Sequence, residues 1–190
     1  MSIWLTEVDR ALKTYIQSLM SNVTSGGTKV KVPVKMFNPD IIHTKEQYPV
    51  VTINSLDHDY NLKLSDVNSY SVEYDLNHTK ATIVEKPTKL DISYQIDFWS
   101  KTQTLINAMT YEWVSKNPKF GYLDIVDDKG NTHSCPFDQV RYLKLDSIEE
   151  GEAIYRRSYE CKVTIEVPRS KAKVVGVVHK VSAIINTDIK

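Results

Sequence analysis

The chain has 190 residues, 41% of them hydrophobic and 25% charged, and its 24 basic and 24 acidic side chains leave no formal net charge. That balance allows one domain with a proper apolar core and excludes wholesale disorder. It also removes the global basic field that draws a protein to nucleic acid or anionic membrane.

From the N-terminus, Leu5, Val8, Leu12, Ile16 and Leu19 recur at steps of three and four. They predict a core-facing helix, capped at Ser2 or Thr6 and closed by Gly26 and Gly27 in "SNVTSGG". Glu7, Asp9, Arg10 and Lys13 interrupt its apolar pattern, which argues against a signal peptide. No run approaches the roughly 18 apolar residues of a membrane span, so residence in the cytoplasm, or in something assembled there, is expected.

The period then switches to two. In "KVKVPVKMF", Val30, Val32, Val34 and Met36 share one face, and Pro33, which cannot donate to a ladder, predicts an edge strand or a bulge. "NPD" at 38–40 reads as a turn and "YPVVTINSL" at 48–56 as a second strand. Residues 57–88 are dense in Asp, Asn, Ser and Tyr. They predict a long, partly extended excursion or irregular hairpin, of the kind that serves function or interfaces.

Leu90, Ile92, Tyr94, Ile96 and Phe98 alternate strictly with Asp91, Ser93, Gln95 and Asp97. Ser100 and Gln103 read as a capping box for a second helix at about 101–116, with Leu105, Ile106, Met109 and Trp113 facing inward and Asn117–Pro118 closing it. Two hairpins follow, turning at Asp127–Asn131 and at Glu149–Glu152. The last strand of the second places Tyr155, Arg157, Tyr159, Cys161, Val163, Ile165 and Val167 on one face, and Arg156, Glu160, Lys162 and Glu166 on the other. The tail, residues 169–190, opens with Arg169, Lys171 and Lys173 and continues in β-branched residues. It is either a last strand of the same sheet or an arm that pairs with a neighbouring subunit. The order predicts an α+β fold: a mainly antiparallel β-sheet packed against the N-terminal helix and the second helix. It forms a single domain over 1–168, with a C-terminal extended arm or final strand.

Sites of chemistry are sparse. The phosphate-cradling, nucleophile-elbow and zincin signatures are missing. Asp57, His58 and Asp59 are adjacent, but neighbours on an extended chain point apart; a solvated segment is expected unless His43 or His78 joins them. Asp91 and Asp97 share a face but lie roughly 20 Å apart along a strand, too far for an acid/base pair. Cys135 and Cys161 are too few for a disulfide framework and fall in strand-like runs, where buried thiols are expected, a 135–161 bridge being the alternative. His133 and Cys135 alternate on one face and are the candidate pair for a cysteine-dependent enzyme. The run "RYLK" at 141–144 with Arg156, Arg157, Tyr142, Tyr155 and the basic tail is a candidate patch for a small nucleic-acid-binding module. A salt-bridged surface or a subunit interface explains the same residues. No cofactor, metal or enzymatic activity is expected.

One segment, "PTKLDISYQIDFWSKTQTLINAM", resembles a stretch of the tail-terminator and tail-completion (neck) proteins of tailed bacteriophages. Pro87, Leu90, Ile92, Tyr94, Gln95, Ile96, Asp97, Phe98, Trp99 and Ser100 carry it, and "YPVVTIN" and the glycine-stopped first helix resemble the elements that precede it. The resemblance implies a structural virion protein, assembled in the host cytoplasm, that forms a homo-oligomeric ring, commonly a hexamer, at the head-proximal end of the tail. Such a ring stops tube polymerisation and effects head–tail joining; its partners are tail tube or sheath proteins and neck or connector proteins. No membrane is involved, and DNA is met only in passing. A head–tail connector or baseplate component is the alternative within the particle. Asp91, Gln95, Asp97, Arg156, Arg157, Arg169, Lys171 and Lys173 are the expected interface residues.

Overall fold

The periodicities set the elements. A computed structural model describes residues 5–36, 48–60, 70–74, 80–85, 87–117, 119–149, 152–167 and 172–176. In chain order these hold α1 (Leu5–Met20), β1 (Thr24–Ser25), β2 (Thr28–Lys29), β3 (Val34–Met36), β4 (Val50–Tyr60), β5 (Tyr70–Tyr74) and β6 (Lys80–Glu85). Then come β7 (Thr88–Ser100), α2 (Gln103–Lys116), β8 (Phe120–Val126), β9 (Thr132–Lys144), β10 (Ser147–Glu149), β11 (Glu152–Val167) and β12 (Ala172–Gly176). The main sheet runs β3-β4-β7-β11-β9-β8, with β10 attached to β11. Every pairing in it is antiparallel except that of β3 with β4. The fold is α+β, as the alternation predicted, and Pro33 stands beside the edge strand, its carbonyl accepting from Val51 N at 2.9 Å.

Both helices contribute to one core. α1 buries Val8, Leu12, Ile16, Leu19 and Met20 and α2 buries Ile106, Met109 and Trp113. They join Ile92, Tyr94, Ile96 and Phe98 of β7 and Tyr159, Cys161, Val163 and Ile165 of β11. Each aliphatic side chain so buried stabilises the fold by about 1.5–3 kcal/mol. Trp113 is the hub: its ring centroid lies 5.7 Å from Phe98, 5.4 Å from Tyr159 and 6.3 Å from Phe137. Its Nε1 donates to Gln139 Oε1 at 3.1 Å, so the one polar atom of the indole is satisfied. Two phenols tie α1 down: Tyr94 donates to Asp9 Oδ1 and Tyr15 to Asn117 Oδ1, each at 2.7 Å.

Three local expectations are corrected. Gly26 and Gly27 do not close α1; at φ 59° and 81° they make the two-residue turn between β1 and β2, where both central positions need positive φ. Thr6 lies inside α1, and Ser2 is outside the described residues. Ser100 and Gln103 form no capping box: Thr102 is the N-cap without a side-chain bond, and Ser100 Oγ instead accepts from Thr102 N at 3.1 Å. Ser100 ends β7, two residues ahead of the N-cap, so it is too early to cap.

The excursion is more regular than its composition suggests. β5 and β6 pair antiparallel, and β12 adds to β6, giving the order β12-β6-β5. This repeats the central order β11-β7-β4. Beyond the last register pairs Val167↔Thr88 and Tyr60↔Leu90 come Ala172↔Val84 and Tyr70↔Glu85. In chain order β5 follows β4, β6 precedes β7 and β12 follows β11. Within the tail, Ala172–Gly176 pairs with β6 in this second sheet rather than in the main one. The "NPD" turn, His43 and His78 lie outside the described residues.

Candidate functional site

β7 carries its apolar residues to the helices and its polar ones to the opposite face, and register assembles a polar surface there. Asp97 is flanked by Thr52 of β4 and Ser158 of β11, and Asp91 by Asp59 and Thr164. Arg156 pairs with Trp99 in the ladder, and its guanidinium lies over the indole, 4.5 Å from the ring centroid. From there Nη2 donates to Asp97 Oδ2 at 2.8 Å. Gln95 Nε2 donates to the same oxygen at 2.9 Å, and Trp99 Nε1 donates to Thr52 Oγ1 at 3.0 Å. Towards the other end of the strand, Asp91 accepts from Thr164 Oγ1 at 2.7 Å and faces Lys162 Nζ at 3.2 Å. Asp91, Asp97, Thr52, Ser158 and Thr164 are all buried.

Asp91, Gln95, Asp97 and Arg156 therefore do share the face on which they were expected. Gln95, Asp97 and Arg156 are engaged with one another, and Asp91 separately with Thr164 and Lys162 of β11, so the first three form a closed network. Asp97 Oδ1 and Arg156 Nε are its buried atoms without a hydrogen-bond partner. Arg157 lies on the helix face, as alternation placed it, where it is buried, bonds Asp146 and donates to Arg156 O at 2.9 Å. Burial raises the Asp146 carboxyl, but Arg157 and Lys144 outweigh it and hold that group below the usual carboxylate range. Lys173 pairs through its backbone with Ile83 in β12. Arg169 and Lys171 lie outside the described residues.

The candidate catalytic pair is not assembled. His133 Nε2 turns to Asp127 Oδ2 at 3.1 Å, in a hairpin turn where Asp127 also accepts from Asn131 N and Lys129 N. Bonds from Asn131, His133 and the turn amides hold Asp127 well below its usual range despite its burial. Cys135 is buried and free, and burial, with the charges of Glu166 and Asp124, pushes its thiol up to about 11. A thiol so raised is protonated at neutral pH and is a poor nucleophile. Cys161 is also buried and free, so no 135–161 bridge forms. Asp57, His58 and Asp59 sit exposed on β4, and no group of three metal-capable side chains occurs among the described residues. The basic patch divides too: Arg141 and Arg156 are on one face, while Tyr142, Lys144 and Arg157 are on the other, the last two paired with Asp146. Among the described residues no helix is long and apolar enough to cross a membrane.

Sequence reasoning missed Thr52, Trp99, Asp146 and Thr164 as members of these networks. Alternation placed Lys162 on the polar face, but only strand register brings it to Asp91.

No family model matches the chain, and no curated protein matches it by sequence. The fold does match a solved structure, the sheath/tube terminator of an extracellular contractile injection system (PVC) in its extended state. The two superpose with a TM-score of 0.53 at 13% identity, over 100% of this chain and 65% of that one. This chain thus spans just under two thirds of that terminator's length, and the likeness is one of fold.

Proposed function

We propose that this chain is a tail-terminator subunit. It forms a ring at the head-proximal end of a phage tail or phage-like injection tube, stops polymerisation of tube or sheath, and offers a surface to the neck. The observation that carries this is the alignment of the whole chain with a sheath/tube terminator fold. The closed polar network and the unassembled His133–Cys135 pair favour a structural role over catalysis. A location in the virion, or an equivalent particle, follows from the same role.

A ring needs a heterologous interface whose rotation closes, and among the described residues the main sheet's path ends at β3 and β8. The test is genetic and morphological. Particles made without this protein carry tubes of uncontrolled length or fail to acquire heads, and the purified full chain sediments as a closed oligomer. Tubes of normal length joined to heads in its absence refute the proposal.

A further inference from the structure

The two end strands of the main sheet, β3 and β8, are each outrun by the strand they cover. β8 follows β9 only as far as Phe120↔Asp138, with one further bond from Gln139 N to Lys119 O at 3.0 Å. From Val140 to Lys144 the outer edge of β9 has no partner strand among the described residues. Val140 and Tyr142 are 55% and 45% exposed there. Arg141 is exposed too, and it makes no ion pair with another described residue.

On the other side of the sheet, β3 pairs with β4 over Val51–Ile53. Past that stretch, from Ser55 to Tyr60, the outer edge of β4 has no partner strand among the described residues. Leu56 is 46% exposed. Asp57 and Asp59 are exposed and meet no cation among the described residues, Asp57 accepting only from the neighbouring His58 N at 2.7 Å.

Register puts these charges on one face. Arg141 stands opposite Glu160, and Asp57 and Asp59 stand opposite Ser93 and Asp91, all on the polar side of the sheet. Each edge also carries a bulge beside its charges. The pairing of β9 with β11 skips Val140, and that of β4 with β7 skips Leu56. A bulged residue is left unpaired, and here both are exposed aliphatic side chains. β4, β7, β11 and β9 alternate in direction, so β9 runs opposite to β4.

We propose that the Arg141–Lys144 edge of one copy adds to the Asp57–Tyr60 edge of the next, carrying the sheet from subunit to subunit. This rests on the ring reading above and gives it an interface. The two strands meet antiparallel, as neighbours within the sheet do, and main-chain bonds supply the contact. Arg141 comes beside Asp57 and Asp59 on the polar face, and the bulged Val140 and Leu56 lose exposed apolar area. Two different edges meet, so the contact is head-to-tail and propagates around a ring. Either edge paired with itself would oppose like charges. Through Glu160 and Gln95, Arg141 lies level with Asn54. The next copy is therefore displaced along the strands by about five residues, roughly 17 Å. A closed sheet whose strands incline to its axis has a stagger of this kind.

The experiment uses the full chain and sedimentation velocity over a concentration series, with circular dichroism as the folding control. Arg141→Glu weakens association by about tenfold to a hundredfold, because it turns an opposite-charge contact into a like-charge one. Asp57→Arg with Asp59→Arg does the same. Mixing these two charge-reversed proteins restores association, since each altered edge then meets one of opposite sign. Hydrogen exchange reads the strands directly: the outward-pointing amides of 141–144 and 57–60 gain protection in the oligomer. An oligomer indifferent to both variants, a mixture that does not re-associate, or an oligomer with those amides unprotected overturns the proposal but leaves the ring reading standing. A wild type that stays monomeric throughout also overturns it; whether the ring reading falls with it is then decided by tube length in particles lacking the protein.

Discussion

Replacing Asp97 by asparagine keeps the side chain's shape and removes one charge from the most enclosed ion pair on the polar face. The Arg156 Nη2–Asp97 Oδ2 contact is 2.8 Å, with the Asp97 side chain 8% and the Arg156 side chain 27% exposed. A charge-assisted hydrogen bond contributes about 1.5–3 kcal/mol when enclosed. Partial exposure of the guanidinium puts this one at the low end, so Asp97→Asn costs about 1–2 kcal/mol. Asp97→Ala leaves a partly buried cation without its counter-ion and costs about 3 kcal/mol. A double-mutant cycle of Asp97→Asn with Arg156→Met returns a coupling of about 1–1.5 kcal/mol. The Lys89–Glu166 pair, at 3.6 Å with side chains 34% and 59% exposed, serves as the internal control and returns under about 0.5 kcal/mol. Urea unfolding followed by far-ultraviolet circular dichroism gives both numbers, provided the m-value stays constant. A coupling for Asp97–Arg156 no larger than the control would refute the closed-network argument and return the face to partner recognition. In that case Asp97→Asn leaves the unfolding midpoint alone and lowers assembly instead.

Trp113→Ala removes the aromatic hub and costs about 3–5 kcal/mol by urea unfolding, whereas Tyr111→Ala, on the exposed side of the same helix, changes the midpoint little. Gly27→Ala forces a β-carbon into a backbone at φ 81° and costs about 1–2 kcal/mol; a neutral result removes the turn assignment. Burial raises the Cys135 thiol to about 11 and the Tyr159 phenol to about 12, so both groups keep their protons in the fold at pH values where the unfolded chain releases them. Their contribution to stability is whole below the ordinary values of about 8.5 and 10 and is lost as pH rises through the folded ones. The Tm falls steeply in that alkaline window, and both cysteines resist a disulfide reagent at neutral pH until urea unfolds the protein. Truncation after Val167 deletes β12 and opens one edge of β6, so amides at Ala81–Val84 lose hydrogen-exchange protection while those of β7 keep it.

Elements with a single clean period were legible in the sequence. β7 and β11 follow the alternation of Leu90–Phe98 and Tyr155–Val167 residue for residue, and the hairpin turn at Asp127–Asn131 follows from its turn chemistry. What failed were signals that depend on a neighbour. Gly26 and Gly27 permit positive φ in a helix cap and in a hairpin alike, and only the pairing of Thr24 with Lys29 decides between them. The pattern S-x-x-Q does not reveal that Ser100 belongs to the preceding strand. The tail's strand was foreseeable from its β-branched residues, but its partner, β6, lies in a segment whose composition looks irregular. For the site, alternation put Asp91, Gln95, Asp97 and Arg156 on one surface; that Arg156 reaches Asp97, and Thr164 and Lys162 reach Asp91, is a fact of register, which no single strand's sequence contains.

This changes where assembly chemistry is to be sought. A partner that recruited Asp97 and Arg156 would first have to separate them, at a cost comparable to the bond it would gain, so the polar face offers little net free energy for association. An edge carries no such cost. Among the described residues, the outer edge of β9 from Val140 to Lys144 has no partner strand. The side chains of Val140, Tyr142, Leu145 and Ile148 are exposed there and would gain from burial against a partner. Exposed edges of this length invite uncontrolled pairing.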